Sequence, residues 1–149
     1  MTSGVVGVSW DMIILMAAPQ HPHAILAWSF LQGLCRDGDL DQAFALLSDD
    51  FTYWSNVNRT VHDKAYLRMA SDRRAAFVEV TMELIRTVVD GDVVVIEALG
   101  DGTTVLGDRY NSTYAYVFEV RDGQLTSMRE HADTKLVIEV LGRMMEMGS

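Results

Sequence analysis

The sequence predicts an α+β domain whose helices cover one face of a curved antiparallel sheet. Three observations lead there. Helix-spaced apolar residues occupy the first half of the chain, from Pro22 towards Phe77. From Val78 onward the apolar period shortens to that of strands. Asp/Gly turns then punctuate the second half at Asp90-Gly91-Asp92 and Arg121-Asp122-Gly123. Helices followed by four successive antiparallel strands give the α+β order.

Pro22 followed by AILAWSFLQGLC predicts a first helix with Ala24, Ala27, Trp28, Leu31, Leu34 and Cys35 on its inner face. Asp39 suits the cap of a short second helix with Ala43, Leu46 and Leu47 inward. Phe51 to Trp54 reads as a short strand, and Ser55 to His62 as a polar loop. Asp63 caps a third helix running through Tyr66, Met69 and Ala70 towards Phe77. Val78–Val89 and Val93–Leu99 form a strand pair, and Gly100–Asp108 reads as a glycine-rich loop. Asp133 or Thr134 caps a last helix with Leu136, Val137, Val140, Leu141 and Met144 inward.

The run Tyr110–Asp133 is a β-hairpin whose register decides which side chains share a face. A three-residue loop with Gly123 in the left-handed position pairs Tyr114 with Glu130, Tyr116 with Met128, Phe118 with Thr126 and Ser112 with Ala132. That register gathers Tyr114, Tyr116, Phe118, Met128 and Ala132 on one apolar face with a single carboxylate, Glu130, among them. A two-residue Asp-Gly turn would instead put His131 beside Tyr114.

Length fits one domain over residues 21–149, preceded by a tail over residues 1–20 that is loose or packed on a neighbouring surface. Met12 or Met16 is an alternative start. Met12–Ala18 is far shorter than the roughly 20 residues that span a bilayer, and no Lys or Arg precedes Arg36. A net charge of −9 opposes a nucleic-acid partner, because phosphate neutralisation needs clustered cations. A lone cysteine, Cys35, forms no intramolecular disulfide and fits a reducing cytoplasm. Neither a membrane partner nor a metal set is expected. His131 alternates to the face opposite Glu130, and His21 and His23 lie near the tail.

Several segments resemble SnoaL-like proteins of the nuclear transport factor 2-like superfamily. They are Asp37-Gly38-Asp39-Leu40, Leu46–Phe51, Tyr110-Asn111 with Tyr114, Val117–Val120, Asp122-Gly123, Arg129-Glu130 and Asp133-Thr134. The resemblance spans Ile25 to Leu141. It implies a cone-shaped domain with a deep apolar pocket between sheet and helices, frequently in a homodimer. Limonene-1,2-epoxide hydrolase-like relatives use an Asp-Arg-Asp set with a Tyr and an Asn. Those positions fall on Leu99, Glu97 and Glu130, with Tyr53 and Ser55, so two of the three central groups differ here. The general base of ketosteroid isomerases also falls on Ser55, which lacks the basicity required. SnoaL-type polyketide cyclases depend on one acid on the last strand, the place of Glu130.

The expected function is cofactor-free acid/base catalysis on a small hydrophobic, polyketide- or terpenoid-like molecule, of the cyclase, isomerase or dehydratase type. Glu130 would carry the proton, raised in pKa by apolar neighbours. Glu97 would tune it if its face lines the pocket, and is otherwise simply solvated. Tyr53 would hold a substrate oxygen, or sit at the core edge. Trp28, Leu31, Leu34, Ser55, Leu99, Ser112, Tyr114 and Met128 are the substrate-binding candidates; Trp28, Leu31, Leu34, Tyr114 and Met128 have a plain core role as the alternative, and Ser55 a turn role. The competing functions are epoxide hydrolysis with an altered catalytic set and a non-catalytic binding or dimerisation module.

Overall fold

A computed structural model of the chain describes residues 18–147, so the expected tail lies, up to residue 17, outside the described residues. The element order is α1 (Pro22–Leu34), α2 (Leu40–Phe44), β1 (Leu47–Ser55), β2 (Val61–Asp63), α3 (Lys64–Ser71), a 3-10 turn (Asp72–Ala76), β3 (Phe77–Asp90), β4 (Val93–Thr104), β5 (Arg109–Arg121), β6 (Gln124–Ala132) and α4 (Thr134–Met147). Among the described residues no helix is long and apolar enough to cross a membrane.

The helix starts follow from local chemistry. Pro22 opens α1, and the His21 ring nitrogen accepts from the His23 amide at 3.0 Å. The carboxylates of Asp39, Asp63 and Asp133 accept from the amides of Gln42, Tyr66 and Leu136 at 3.1, 2.8 and 3.2 Å, as N-caps do. On α1 the buried side chains are Ala24, Ala27, Phe30 and Leu31. Phe30, rather than Trp28, anchors the helix, with its ring edge-on to Phe44 and Phe118 at 5.8 and 6.2 Å. Trp28 is only partly buried on the flank. On α3 the buried residue is Leu67, whereas Met69 is 61% exposed.

The curved six-stranded sheet runs β2-β1-β6-β5-β4-β3. Strands β3 to β6 form the expected antiparallel meander. Strand β1 is longer than Phe51–Trp54 and joins the other side of β6 in parallel, with Tyr53 opposite Met128 and Ser55 opposite Glu130. The expected polar loop Ser55–His62 ends in β2, which pairs antiparallel with β1. Another departure lies in β4, which continues to Thr104 through the supposed glycine-rich loop and is paired on both sides. Glycine is needed there for close approach rather than flexibility: a Cβ on Gly100 would lie 2.7 Å from the Tyr114 ring.

The β5–β6 hairpin corrects the expected register. Its turn is the two-residue Asp122-Gly123, with φ of 52° and 74°, and Arg121 pairs with Gln124. Thr126 is then an extra residue, because Val120 pairs with Leu125 but Glu119 with Ser127. Beyond this bulge Tyr114 pairs with Ala132, Tyr116 with Glu130 and Phe118 with Met128. The pairing is thus displaced by two residues from the three-residue-loop register. A displacement of two leaves every side chain on the same face, so Glu130 does share a face with Tyr114, Tyr116, Phe118 and Met128.

Gly100→Ala should destabilise the domain by about 1–3 kcal/mol, because the added methyl must displace the Tyr114 ring. Gly142→Ala, with no neighbour around its Cβ position among the described residues, should be neutral or stabilising by up to about 1 kcal/mol. Urea unfolding of the two variants measures both, and equal effects would contradict the packing described.

Candidate active site

The helices and the inner sheet face border an open cavity of about 410 Å³. Leu34 of α1, Tyr66, Leu67 and Ala70 of α3, and Val137 and Leu141 of α4 supply its helical walls. All five tyrosines of the chain line it: Tyr53, Tyr66, Tyr110, Tyr114 and Tyr116. Among the described residues Glu130 is the one carboxylate in the lining.

Alternation along the strands explains this convergence. Strand β5 turns Tyr110, Ser112, Tyr114, Tyr116 and Phe118 inward, and β1 turns Tyr53 and Ser55 inward. The Tyr53 hydroxyl donates to Glu130 Oε2 at 2.5 Å, the short separation of a charge-assisted bond. Burial pushes the Glu130 carboxyl above its ordinary value, and the Tyr53 bond opposes the shift only in part. By surface area Glu130 is only partly covered, since one side opens on the cavity, yet surrounding protein dominates its electrostatics. The Tyr53 phenol is raised by burial and then by the neighbouring Glu130 charge, so it stays protonated and able to donate.

The remaining phenols form a second polar group. The hydroxyls of Tyr110 and Tyr114 are 2.7 Å apart, and either can be the donor. The Tyr114 and Tyr116 rings stack with centroids 5.4 Å apart. Tyr116 is 3% exposed, and its hydroxyl has no hydrogen-bond partner among the described residues, although the ring lines the cavity. Burial raises the pKa of Tyr110, Tyr114 and Tyr116 alike, which keeps all three as neutral donors.

Of the residues singled out in the sequence, Leu34, Tyr53, Ser55, Tyr114 and Glu130 line the cavity together. Ser112 is 1% exposed on the same face, and its hydroxyl donates to the Thr113 carbonyl at 3.2 Å. Leu31 and Met128 are core, and Trp28 packs on the core from the helix flank; none of these lines the cavity. Glu97 and Leu99 are corrected. The inward residues of β4 are Val94, Ile96, Ala98 and Gly100, so Glu97 and Leu99 point to the outer face. There Glu97 lies 3.7 Å from Arg86, and no Glu97–Glu130 pair forms. His131 is also on the outer face, its ring 5.3 Å from Trp54, which in turn carries the Arg129 guanidinium at 3.9 Å.

Sequence reasoning missed Tyr110 and Tyr116 as site residues, although their spacing with Tyr114 on one strand face was a usable signal. It also passed over Asn56. The Asn56 amide donates to the Ala132 carbonyl and accepts from the Ala132 amide, both at 3.1 Å, and its backbone amide donates to the Glu130 carbonyl at 3.1 Å. This clamp fixes β6 beside the acid. Among the described residues no three His, Cys, Asp or Glu side chains come together as a metal set.

Residues 29–128 match the SnoaL-like domain. The chain belongs to the SnoaL-like family. Solved structures similar to this SnoaL-like domain include an LEH-like epoxide hydrolase from M. tuberculosis, at 25% identity and a TM-score of 0.66, covering 82% of this chain and 90% of that one. A candidate SnoaL-like polyketide cyclase from Jannaschia sp. CCS1 aligns at 15% identity and a TM-score of 0.68, covering 81% and 95%. PrhC from Penicillium brasilianum NBRC 6234 aligns at 13% identity and a TM-score of 0.73, covering 85% and 90%. The last two likenesses show the shared fold. No curated protein sequence matches the chain.

The raised acid has a consequence for stability. With its folded-state value above the ordinary 4.5, Glu130 binds protons more readily in the folded chain than in the unfolded one. Its contribution therefore falls as pH rises from about 4.5 through the folded-state value, and is constant above it. Glu130→Gln removes that dependence. Urea unfolding of both proteins from about pH 4 to 8 should show the wild type losing stability relative to the variant with rising pH; parallel curves would contradict the assignment.

Proposed function

We propose that this SnoaL-like domain is a cofactor-free enzyme that moves a proton on a small hydrophobic molecule, with Glu130 as the proton-transfer group. The observation that carries the reading is one carboxyl, raised by burial and held by Tyr53 at 2.5 Å, in a cavity lined by every tyrosine of the chain. A carboxylate of this kind takes a proton from carbon beside a carbonyl and returns it to another atom of the same molecule. Negative charge grows meanwhile on the carbonyl oxygen, and a neutral phenol donor of low acidity suits that oxygen. Tyr116, or the Tyr110–Tyr114 pair, is the donor in this reading, and Tyr53 is the positioning residue of the acid. The reaction class is enolisation leading to isomerisation, cyclisation or dehydration. The SnoaL-like family and its cyclase-like structural neighbour support it.

Epoxide hydrolysis is the second reading, favoured by the 25% identity to the LEH-like hydrolase. Against it, the inner face of β4 carries Val94, Ile96, Ala98 and Gly100, with no acid or arginine to complete an Asp-Arg-Asp set. A non-catalytic binding module is opposed by the position of Glu130 inside the cavity rather than on the outer face.

Hydrogen–deuterium exchange at the α-carbon of 2-tetralone, followed by NMR, tests the chemistry without the natural substrate. Wild-type protein should accelerate exchange over buffer, and Glu130→Gln should lose about 10²- to 10⁴-fold of that rate. Equal exchange by the two proteins would sink the proposal. Tyr53→Phe removes a bond that favours the ionised acid, so the pH at which exchange rises should move upward. An unshifted profile would remove Tyr53 from its positioning role.

A further inference from the structure

The cavity has a second charged pole that the proton-transfer reading leaves unused. Apart from Glu130, its only formally charged lining groups among the described residues are Arg73 and Arg74, from the 3-10 turn between α3 and β3. The Arg74 guanidinium is anchored: its Nη1 donates to the carbonyls of Cys35, Gly38 and Gly33 at 2.9, 2.8 and 3.4 Å, closing the turn after α1. Its Nε and Nη2 have no hydrogen-bond partner among the described residues. Arg73 is exposed and has no ion-pair or hydrogen-bond partner there either. The neighbouring Asp72 does not line the cavity.

The two poles are set apart along β5. Tyr116 is opposite Glu130, whereas Tyr110, six residues earlier, packs on Phe77 at 5.5 Å, just after the arginines. Apolar residues such as Phe77, Val80 and Met82 lie on the same wall. We infer that the ligand of this cavity carries an anionic group, a carboxylate or its equivalent, at the end remote from the atom that Glu130 acts on. The inference rests on the reading of the cavity as a substrate site. Arg73 supplies the free fork for the anion, and Arg74 the fixed positive charge behind it. In a chain of net charge −9 an anion is repelled from most of the surface, so two adjacent arginines on a cavity rim decide where it enters.

Two fluorescent probes that share an aromatic frame and differ in a sulfonate separate the possibilities: 8-anilinonaphthalene-1-sulfonate and N-phenyl-1-naphthylamine. Wild-type protein should bind the sulfonate roughly tenfold more tightly than the neutral probe, the size of one charge-assisted hydrogen bond. Arg73→Gln should bring the two affinities to within about twofold, with neutral-probe binding retained, and Arg73→Lys should keep most of the preference. Arg74 is left in place because its removal would free three carbonyls of the α1–α2 turn. Equal affinity of the wild type for the two probes, or an undiminished preference in Arg73→Gln, would overturn the inference while the neutral probe still reports an apolar cavity. Failure of both probes to bind would overturn the inference together with the substrate-site reading beneath it.

Discussion

A carboxylate set into an aromatic sheet face must be hydrogen-bonded or neutral, and the rest of this structure is arranged around that constraint. Glu130 meets it through one strong donor, the Tyr53 hydroxyl at 2.5 Å. Tyr53 reaches the acid only because β1 lies beside β6, in parallel, with Ser55 opposite Glu130 and Tyr53 two residues back on the same face. Parallel neighbours cannot be joined by a tight turn, so α3 and the whole β3–β5 meander intervene between them. The acid's environment is therefore a product of the completed sheet. Asn56 secures it with its two side-chain bonds to Ala132.

What was legible in the sequence was what is decided locally. The caps at Asp39, Asp63 and Asp133 involve amides three residues away, and each was readable from a short polar residue before an apolar period. The face on which Glu130 lies was readable too, since only one parity gathers the apolar residues of the hairpin on a single face. The pairing was not, because the two-residue Asp122-Gly123 turn is followed by a bulge at Thr126. The trace of that bulge is the spacing of Leu125 and Met128, both buried but three residues apart, an odd interval that unbroken alternation forbids. Tight pairing with flanking strands likewise carries β4 through Gly100 and Gly102, which composition alone suggested as loop.

Glu97 shows where alternation runs out. The pattern separates Val95, Glu97 and Leu99 from Val94, Ile96 and Ala98, but both sets contain apolar residues, and nothing local says which one faces the helices. Tertiary packing decides it: Gly100 is on the face that must admit the Tyr114 ring, so Ile96 and Ala98 share that face and Glu97 is outside with Arg86. Among the described residues the cavity consequently has one acid and five phenols in its lining rather than two acids. Phenols suit such a space, because burial raises their pKa and leaves them neutral donors where a charged donor would carry a desolvation cost.

The separation of the two charged poles follows from the same electrostatics. A guanidinium beside Glu130 would favour the carboxylate and lower its pKa, which would cancel the effect of burial. No arginine contributes to the shift at Glu130, whose causes are burial and the Tyr53 bond alone. Arg74 is kept from approaching by the carbonyls of Gly33, Cys35 and Gly38, which hold its Nη1 at the end of α1. Those three bonds stabilise the α1–α2 turn, and they leave the pKa of Glu130, on which the proposed proton transfer rests, to burial and the Tyr53 bond. A cation can thus stand on the cavity wall without quenching the acid.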